Sequence, residues 1–429
     1  MHTLGCRLNQ SETNVLREKL EAAGYRIVPF DAPADLGVIN TCTVTREADA
    51  KSRKSIRGFI RRNPNAYVAV IGCYAQMGYN ALCAIEGVDL VVGNQEKLNV
   101  LDYVSQGKSE TPLVVRDRFL RDDFTFDTAG TGVFEKRANL KIQDGCDFMC
   151  SFCVIPFARG RARSRRMGNL LDEASSLVER GAKELILTGV NVGTYAYEEY
   201  TVVDIVDRLN EFAELERIRI SSIEPTTIPD GLLSRMADPY HRLVPYLHIP
   251  LQSGSNEILE KMRRLYTREE FMAFIERARR EVPDICIGTD VLVGFPDESD
   301  EHFEQTCDLL RRGPIDYAHV FKYSLREGTQ AAREQGHVDP GDKNRRSARI
   351  RRISAEKLAK FHRRHRGATM DVLFEQGENG VWTGYTANYI RVAVRSDAIL
   401  TNTLCPVTLG ESRGDAMLGT LAETAEVCV

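Results

Sequence analysis

Three cysteines, Cys146, Cys150 and Cys153, stand within eight residues in the stretch DGCDFMCSFC, spaced C-x-x-x-C-x-x-C. Thiolates this dense repel one another unless a cation or cluster binds them. A closed zinc site takes four ligands, and no fourth Cys or His lies near in sequence. The trio suits a four-iron cluster with one iron left open to a small molecule, gripped through a nitrogen and a carboxylate oxygen. Packed or disulfide-forming cysteines are the plainer alternative. Eleven cysteines, an odd number spread over 429 residues, exclude a complete disulfide framework and favour a reducing compartment.

Upstream, strand-like runs alternate with helix-like ones, which implies a parallel α/β sheet. Strands are expected at His2–Leu4, Tyr25–Phe30, Leu36–Asn40, Tyr67–Ile71 and Val88–Val92, and helices at Ser11–Ala23, Arg46–Arg62 and after Ala75. Cys6, Cys42 and Cys73 each follow the carboxyl end of one of these strands, the edge where open α/β sheets bind ligands. One cysteine there is ordinarily a core residue, but three at equivalent places point to a second three-thiolate cluster. Cys83, Cys405 and Cys428 lack such placement and read as structural. The helix after Cys42 carries Lys51, Arg53, Lys54, Arg57, Arg61 and Arg62, serving either a solvated face or an RNA backbone.

From the first trio onward, six strand-like runs begin at Leu140, Glu184, Arg217, Tyr246, Cys286 and Tyr317, separated by amphipathic helices such as Asn169–Arg180 and Arg268–Arg280. Six βα units fall short of a closed eight-stranded barrel and imply an open, partial one. Its ligand rim holds Thr188, Asn191, Ser222, Glu224, Gln252 and Asp290. Glu224 and Asp290, flanked by apolar residues, are expected to point inward toward a ligand hydroxyl or amine, or into a buried salt bridge. Arg159, Arg161, Arg163 and Arg165 alternate, so an extended segment there presents all four on one side, as an anion clamp or as plain surface charge.

The C-terminal part is different in kind. Between Asp342 and Arg366 eleven Lys and Arg, among them Arg345, Arg346, Arg349, Arg352, Arg363 and Arg364, share a helical run with Asp342 and Glu356 as the only acids. Ile350, Ile353, Leu358 and Phe361 form its apolar stripe, leaving a basic outer face suited to phosphates. Five short strands then suggest an OB-like barrel, with Trp382, Tyr385, Tyr389 and Arg391 placed to stack and clamp RNA or to fill a core. The expected division is 1–104, a linker 105–137, the partial barrel 138–333, the basic helix 334–365 and the small barrel 366–429. The overall charge of −4 hides this basic concentration. No apolar run approaches a membrane helix and the first residues lack a signal-peptide core, so a cytoplasmic monomer with no membrane partner is expected.

Several segments together make the chain resemble the radical S-adenosylmethionine methylthiotransferases over essentially its full length. They are Leu4-Gly5-Cys6 with Asn9-Gln10, TCTVT around Cys42, IGCYAQ around Cys73, Gly93-Asn94 with Glu96-Lys97, DGCDFMCSFC, HIPLQSGS, GTDVLVGFP and REGT. In FKYSLREGT, Lys322 and Leu325 stand where the family commonly has proline, a local departure. The resemblance implies two 4Fe-4S clusters. One, on Cys146, Cys150 and Cys153, would bind S-adenosylmethionine with Phe152 near the adenine and the rim residues around it. The other, on Cys6, Cys42 and Cys73, would carry the sulfur to be donated. One S-adenosylmethionine would methylate that sulfur, and a second, cleaved reductively, would yield the radical that abstracts a substrate hydrogen. The implied partners are transfer RNA, an electron donor such as flavodoxin or ferredoxin, and a sulfur source. The C-terminal barrel resembles a TRAM domain. The opening TLGCRLNQSE resembles the branch acting on N6-threonylcarbamoyladenosine beside the anticodon, ahead of the isopentenyladenosine and ribosomal-protein branches. A reading of another class is a two-cluster electron carrier with an RNA-binding tail, which has no use for a polar barrel rim.

Overall fold

The computed structural model describes residues 1–104, 107–108, 110–126 and 137–422. Cys428, residues 105, 106 and 109, and the 127–136 part of the expected linker lie outside the described residues. The first unit is a parallel sheet in the order His2–Thr3, Leu36–Thr41, Tyr67–Gly72, Leu90–Val92 and Leu113–Val115. Its three inner strands are largely apolar and buried on both faces, as a sheet covered on both sides requires, while the edge strands are partly exposed. Val38, Ala69 and Ile71 pack with Leu16 and Leu20 of the Arg7–Ala22 helix on one face. Ile39, Val68 and Val70 pack with Ile56 and Phe59 of the Arg46–Arg62 helix on the other.

Two segments depart from expectation. Tyr25–Phe30 forms no strand, because Pro29 lacks a donor and Phe30 stacks on His2 at 4.3 Å and on Phe59 at 5.4 Å. Leu113–Val115 pairs with Leu90–Val92 as the fifth strand, where the sequence has no clear periodicity. Three residues are too few to show one.

The central unit has the six expected parallel strands in two groups of three. Arg217–Ile220, Glu184–Thr188 and Ala138–Lys141 form one, and Tyr246–His248, Cys286–Val293 and Tyr317–Lys322 the other. A bridge from Ile218 to Leu243 joins the groups, giving an open barrel with helices outside. The Arg268–Glu281 helix shows why these segments are helical. Thr267 and Glu270 make a reciprocal cap, and Phe271, Ile275 and Ala278 face the core.

The 26-residue helix Pro340–His365 begins on the Asp339 cap and lies along the last barrel strand. There Ser354 Oγ accepts from the Ala318 amide at 2.8 Å and donates to the Ala318 carbonyl at 3.0 Å, covering the strand edge. Five antiparallel and parallel pairings then close the C-terminal barrel, in the order Thr369–Glu378, Val381–Thr386, Arg391–Arg395, Ala416–Leu421 and Leu404–Arg413. Among the described residues no helix is long and apolar enough to cross a membrane.

Glu184 joins the two barrels. It is fully buried and accepts from Arg219 at 2.6 Å, with Arg137 at 3.6 Å, while Arg219 and Arg217 reach on to carbonyls of Ala387, Tyr385 and Asp371. Burial alone would raise its carboxyl, but Arg219 and Arg137 outweigh it and hold the group at about 2. A carboxyl depressed on folding stabilises above its ordinary value of 4.5, and that contribution disappears as pH falls through about 2. Glu184→Gln should therefore lower stability at pH 7 by about 3 kcal/mol and flatten the loss between pH 4.5 and 2. Thermal melts across that window check this, and an unchanged pH slope contradicts it.

Candidate active site between two thiol trios

Cys146, Cys150 and Cys153 occupy the loop that follows Gln143–Asp144 and precedes the Ile155–Arg159 helix. Gly145 enters it at φ +70°, and a Cβ there would meet the Arg161 carbonyl at 1.9 Å, so only glycine fits. The Cys153 amide donates to the Cys150 carbonyl at 3.0 Å, and the Ile155 amide points at Cys153 Sγ at 3.4 Å. Burial pushes the Cys146 thiol up to about 11 and Cys153 to about 12, and raises Cys150 too. Such thiols favour the protonated form unless metal replaces the proton.

Cys6 caps the Arg7–Ala22 helix, Cys42 follows Leu36–Thr41, and Cys73 begins the Cys73–Met77 helix after Tyr67–Gly72. These are the strand-end positions the sequence assigns. Burial, then Cys73, raises Cys42 to about 11, and Cys6 adds to the shift, so the three sulfurs feel one another. Among the described residues, three ligand atoms fall within 4.8 Å of one another only at His248, Asp290 and His319. Both thiol trios are set wider than one ion spans, which suits clusters.

The Asn94 amide nitrogen contacts Cys73 Sγ at 3.4 Å and donates to the Ala158 carbonyl at 2.6 Å, on the helix that follows the other trio. Beside it lies a buried ionic network. Glu12 accepts from Lys97, from Lys141 at 2.6 Å and from Arg159 at 3.0 Å, and Asp144 accepts from Lys141 at 2.7 Å and Arg159 at 2.9 Å. Burial draws the Lys97 ammonium down to about 8 despite Glu12, whereas the cations hold both carboxyls well below the carboxylate range against their own burial. With Arg163 3.6 Å from Asp144, four cations face two acids here. The excess is directed at Cys73 and Cys6, where thiolates or an anionic cluster would balance it.

Two adjoining cavities lie between the trios. One, of about 320 Å³, is lined by Cys153, Phe152, Gln252, Leu292 and Asp290. The other, of about 500 Å³, is lined by Cys6, Arg7, Thr188, Ser222, His319 and Asp290, so Asp290 and Phe321 border both. Glu224 and Asn191 line neither. Glu224 points inward as expected, but to Arg264, whose other nitrogen donates to Cys150 Sγ at 3.2 Å. Burial raises the Glu224 carboxyl, with Arg264 pulling the other way. Asn191 Oδ1 accepts from Thr227 at 2.9 Å, leaving its amide nitrogen buried and unpartnered. Asp290 receives His248 at 2.9 Å and His319 at 3.5 Å. Sequence reasoning missed Arg264, Glu12, Lys141 and His319, whose partners lie far along the chain. Asn94 and Lys97 stand in a segment already singled out by sequence.

The arginine row is corrected. Arg159 ends a helix, Gly160 turns the chain at φ +82°, and only Arg163–Ser164 is extended, so no shared face exists. Arg159 serves Glu12, Arg165 serves Glu173, Arg163 approaches Asp144 at 3.6 Å, and Arg161 is exposed.

The match to known proteins follows this division. Residues 140–310 match the Radical SAM superfamily, and residues 1–93 match a family described as uncharacterized, UPF0004. The chain is 37% identical to a threonylcarbamoyladenosine tRNA methylthiotransferase of Bacillus subtilis, over 92% of this chain and 89% of that one. It is 38% identical to the protein of that name from Aquifex aeolicus, over 91% and 95%. The chain belongs to the radical S-adenosylmethionine methylthiotransferase family. Among relatives of other name, a tRNA-2-methylthio-N(6)-dimethylallyladenosine synthase of Clostridium botulinum is 31% identical over 87% and 85%. A radical S-adenosylmethionine methyltransferase from Kitasatospora setae shares the fold, with a TM-score of 0.58 at 16% identity, covering 87% of this chain and 77% of that one. Membership makes this methylthiotransferase an enzyme and implies a 4Fe-4S cluster and S-adenosylmethionine.

The basic helix is also corrected in part. Arg346 is buried and pairs with Glu298 at 2.7 Å and Asp300 at 2.9 Å, Arg349 binds Glu304, and Arg364 reaches Asp316 at 2.9 Å. The acids lie on other elements, so a count along one helix misses them. Arg352 and Arg363 remain exposed, and Arg345 pairs with Asp342 on its own helix. Tyr385 and Tyr389 stack at 4.9 Å, half-buried, with Arg137 over the Tyr385 ring at 4.2 Å, while Arg391 pairs with Asp415 at 3.0 Å.

Glu12→Gln leaves the cations of this network with Asp144 as their one carboxylate, and should cost about 3–5 kcal/mol. Urea denaturation reads this directly. A midpoint equal to the parent's contradicts the network's structural role.

Proposed function

We propose that this enzyme inserts a methylthio group at carbon 2 of N6-threonylcarbamoyladenosine, 3′ to the anticodon of transfer RNA. The observation that carries the reading is that one cysteine of each trio, Cys6 and Cys153, lines one of two adjoining cavities that share Asp290 and Phe321. A radical generator and a sulfur donor have to reach one carbon from different sides. The names of the relatives from Bacillus subtilis and Aquifex aeolicus support this choice of substrate.

In this reading Cys146, Cys150 and Cys153 hold the 4Fe-4S cluster that binds S-adenosylmethionine, and Cys6, Cys42 and Cys73 hold a second. Together the clusters supply reductive cleavage and a transferable sulfur. The chain's own residues do the positioning. Phe152, Gln252 and Asp290 line the smaller cavity, beside Cys153, and take the adenosyl moiety. Thr188 and Ser222 face the larger one, where the modified base enters. Arg264 places a cation at Cys150, which favours its thiolate form. Arg345, Arg352 and Arg363 remain for the RNA backbone, beside a closed barrel that resembles a TRAM domain. A cytoplasmic flavodoxin or ferredoxin as electron donor, a separate sulfur source and a monomeric enzyme complete the proposal.

Mass spectrometry of transfer RNA nucleosides from cells lacking the gene should show loss of the 2-methylthio form of threonylcarbamoyladenosine alone. An unchanged nucleoside profile rejects the assignment. Reconstituted protein should bind about eight irons, falling to about four in Cys73→Ala and in Cys150→Ala. An unchanged content in Cys73→Ala rules out the second cluster. Joint replacement of Arg345, Arg352 and Arg363 by alanine should weaken RNA binding and reduce its log–log salt slope by about 2, and an unchanged slope removes this face from the interface.

A further inference from the structure

Arg7 immediately follows Cys6 and lines the larger cavity. It is half-buried, and among the described residues no carboxylate lies within ion-pair distance of it. Its guanidinium donates only to neutral oxygens, Asn139 Oδ1 at 3.4 Å and the Tyr389 hydroxyl at 3.4 Å. The cavity's other charges are matched. Arg219 is spent on Glu184, and Asp290 on His248 and His319. A guanidinium drawn partly out of water with no carboxylate to bind its fork is costly, and this one faces a space of about 500 Å³.

Tyr389 lines the same cavity and accepts from the guanidinium through its hydroxyl. Its backbone holds φ +67°, a conformation that a bulky residue rarely adopts without a local reason. In that pose its ring lies 4.4 Å from Tyr246 and 4.9 Å from Tyr385, and its hydroxyl reaches Arg7. Three parts of the chain thus converge on one unneutralised fork: the first helix, the barrel strand of Asn139 and the C-terminal barrel.

We propose that Arg7, held by Asn139 and Tyr389, is the subsite for the free carboxylate of an amino-acid branch on the substrate base. The inference rests on the proposed threonylcarbamoyladenosine reading and deepens it. A threonyl group joined through its nitrogen keeps one carboxylate, which matches the planar fork of a guanidinium. A dimethylallyl branch has no charge to offer, so Arg7 selects between the two chemistries. A backbone phosphate is the competing anion, and it is common to every RNA substrate.

The test uses the full-length, cluster-reconstituted enzyme and anticodon stem-loop RNAs. One carries threonylcarbamoyladenosine with its carboxylate free, and another carries it capped as the methylamide. Equilibrium binding and kcat/KM for methylthio product are both measured. The parent enzyme should prefer the free acid by about 30-fold or more, and Arg7→Gln should reduce that preference to about twofold. Arg7→Lys, which keeps charge without the fork, should fall between them. Equal treatment of acid and amide by the parent enzyme overturns the proposal and needs no variant. Equal weakening of both RNAs in Arg7→Gln also overturns it, and assigns the residue to a phosphate or to the neighbouring thiolate. If the parent acts on neither and methylthiolates a dimethylallyl stem-loop instead, the substrate reading itself has failed.

Discussion

Glu12, Lys97, Lys141, Asp144 and Arg159 form a buried knot of charge on which the rest of the site depends. Glu12 and Lys97 come from the N-terminal sheet unit, and Lys141, Asp144 and Arg159 from the first strand and loop of the partial barrel. Few relative positions of the two units satisfy all of these bonds together, so the knot sets how the thiol trios face each other. Buried ion pairs add little net stability over apolar packing, and their use here is positional. Asn94 extends the same logic, with one amide touching both Cys73 and the helix behind the other trio.

A second tie holds the opposite side of the interface. Arg326 donates to Asp49 at 2.8 Å and to Thr43 at 2.7 Å, and the Arg46 amide donates to Ser324 Oγ at 3.0 Å. The loop FKYSLREGT therefore closes on the N-terminal unit next to Cys42, without prolines at Lys322 and Leu325. Ionic contacts on both sides leave the two cavities open between the units, the space that the proposed function assigns to substrate and S-adenosylmethionine.

The fold and the strand-end and loop positions of the two cysteine trios were legible because their signals are local. A cysteine directly after a β-branched run, or three cysteines in eight residues, declares itself within a short window. Six βα units likewise announce a partial barrel by repetition. The partners of Glu224 and Glu12 were not legible, since Arg264 and Arg159 lie 40 and 147 residues away and no spacing rule links them. The arginine row misled for a related reason: alternation predicts a shared face only in extended chain, and Gly160 with the preceding helix breaks it. The basic helix misled through its neighbours, because Glu298, Glu304 and Asp316 neutralise residues that look free along the helix alone.

In the proposed function both trios serve one carbon in one shared space. Transfer RNA deuterated at carbon 2 of the target adenosine, turned over by the reconstituted enzyme, tests it most directly. Deuterium should appear in the 5′-deoxyadenosine released, and a methylthio group on the carbon that lost it, in equal amounts. Deoxyadenosine free of deuterium, alongside methylthiolated product, would contradict it.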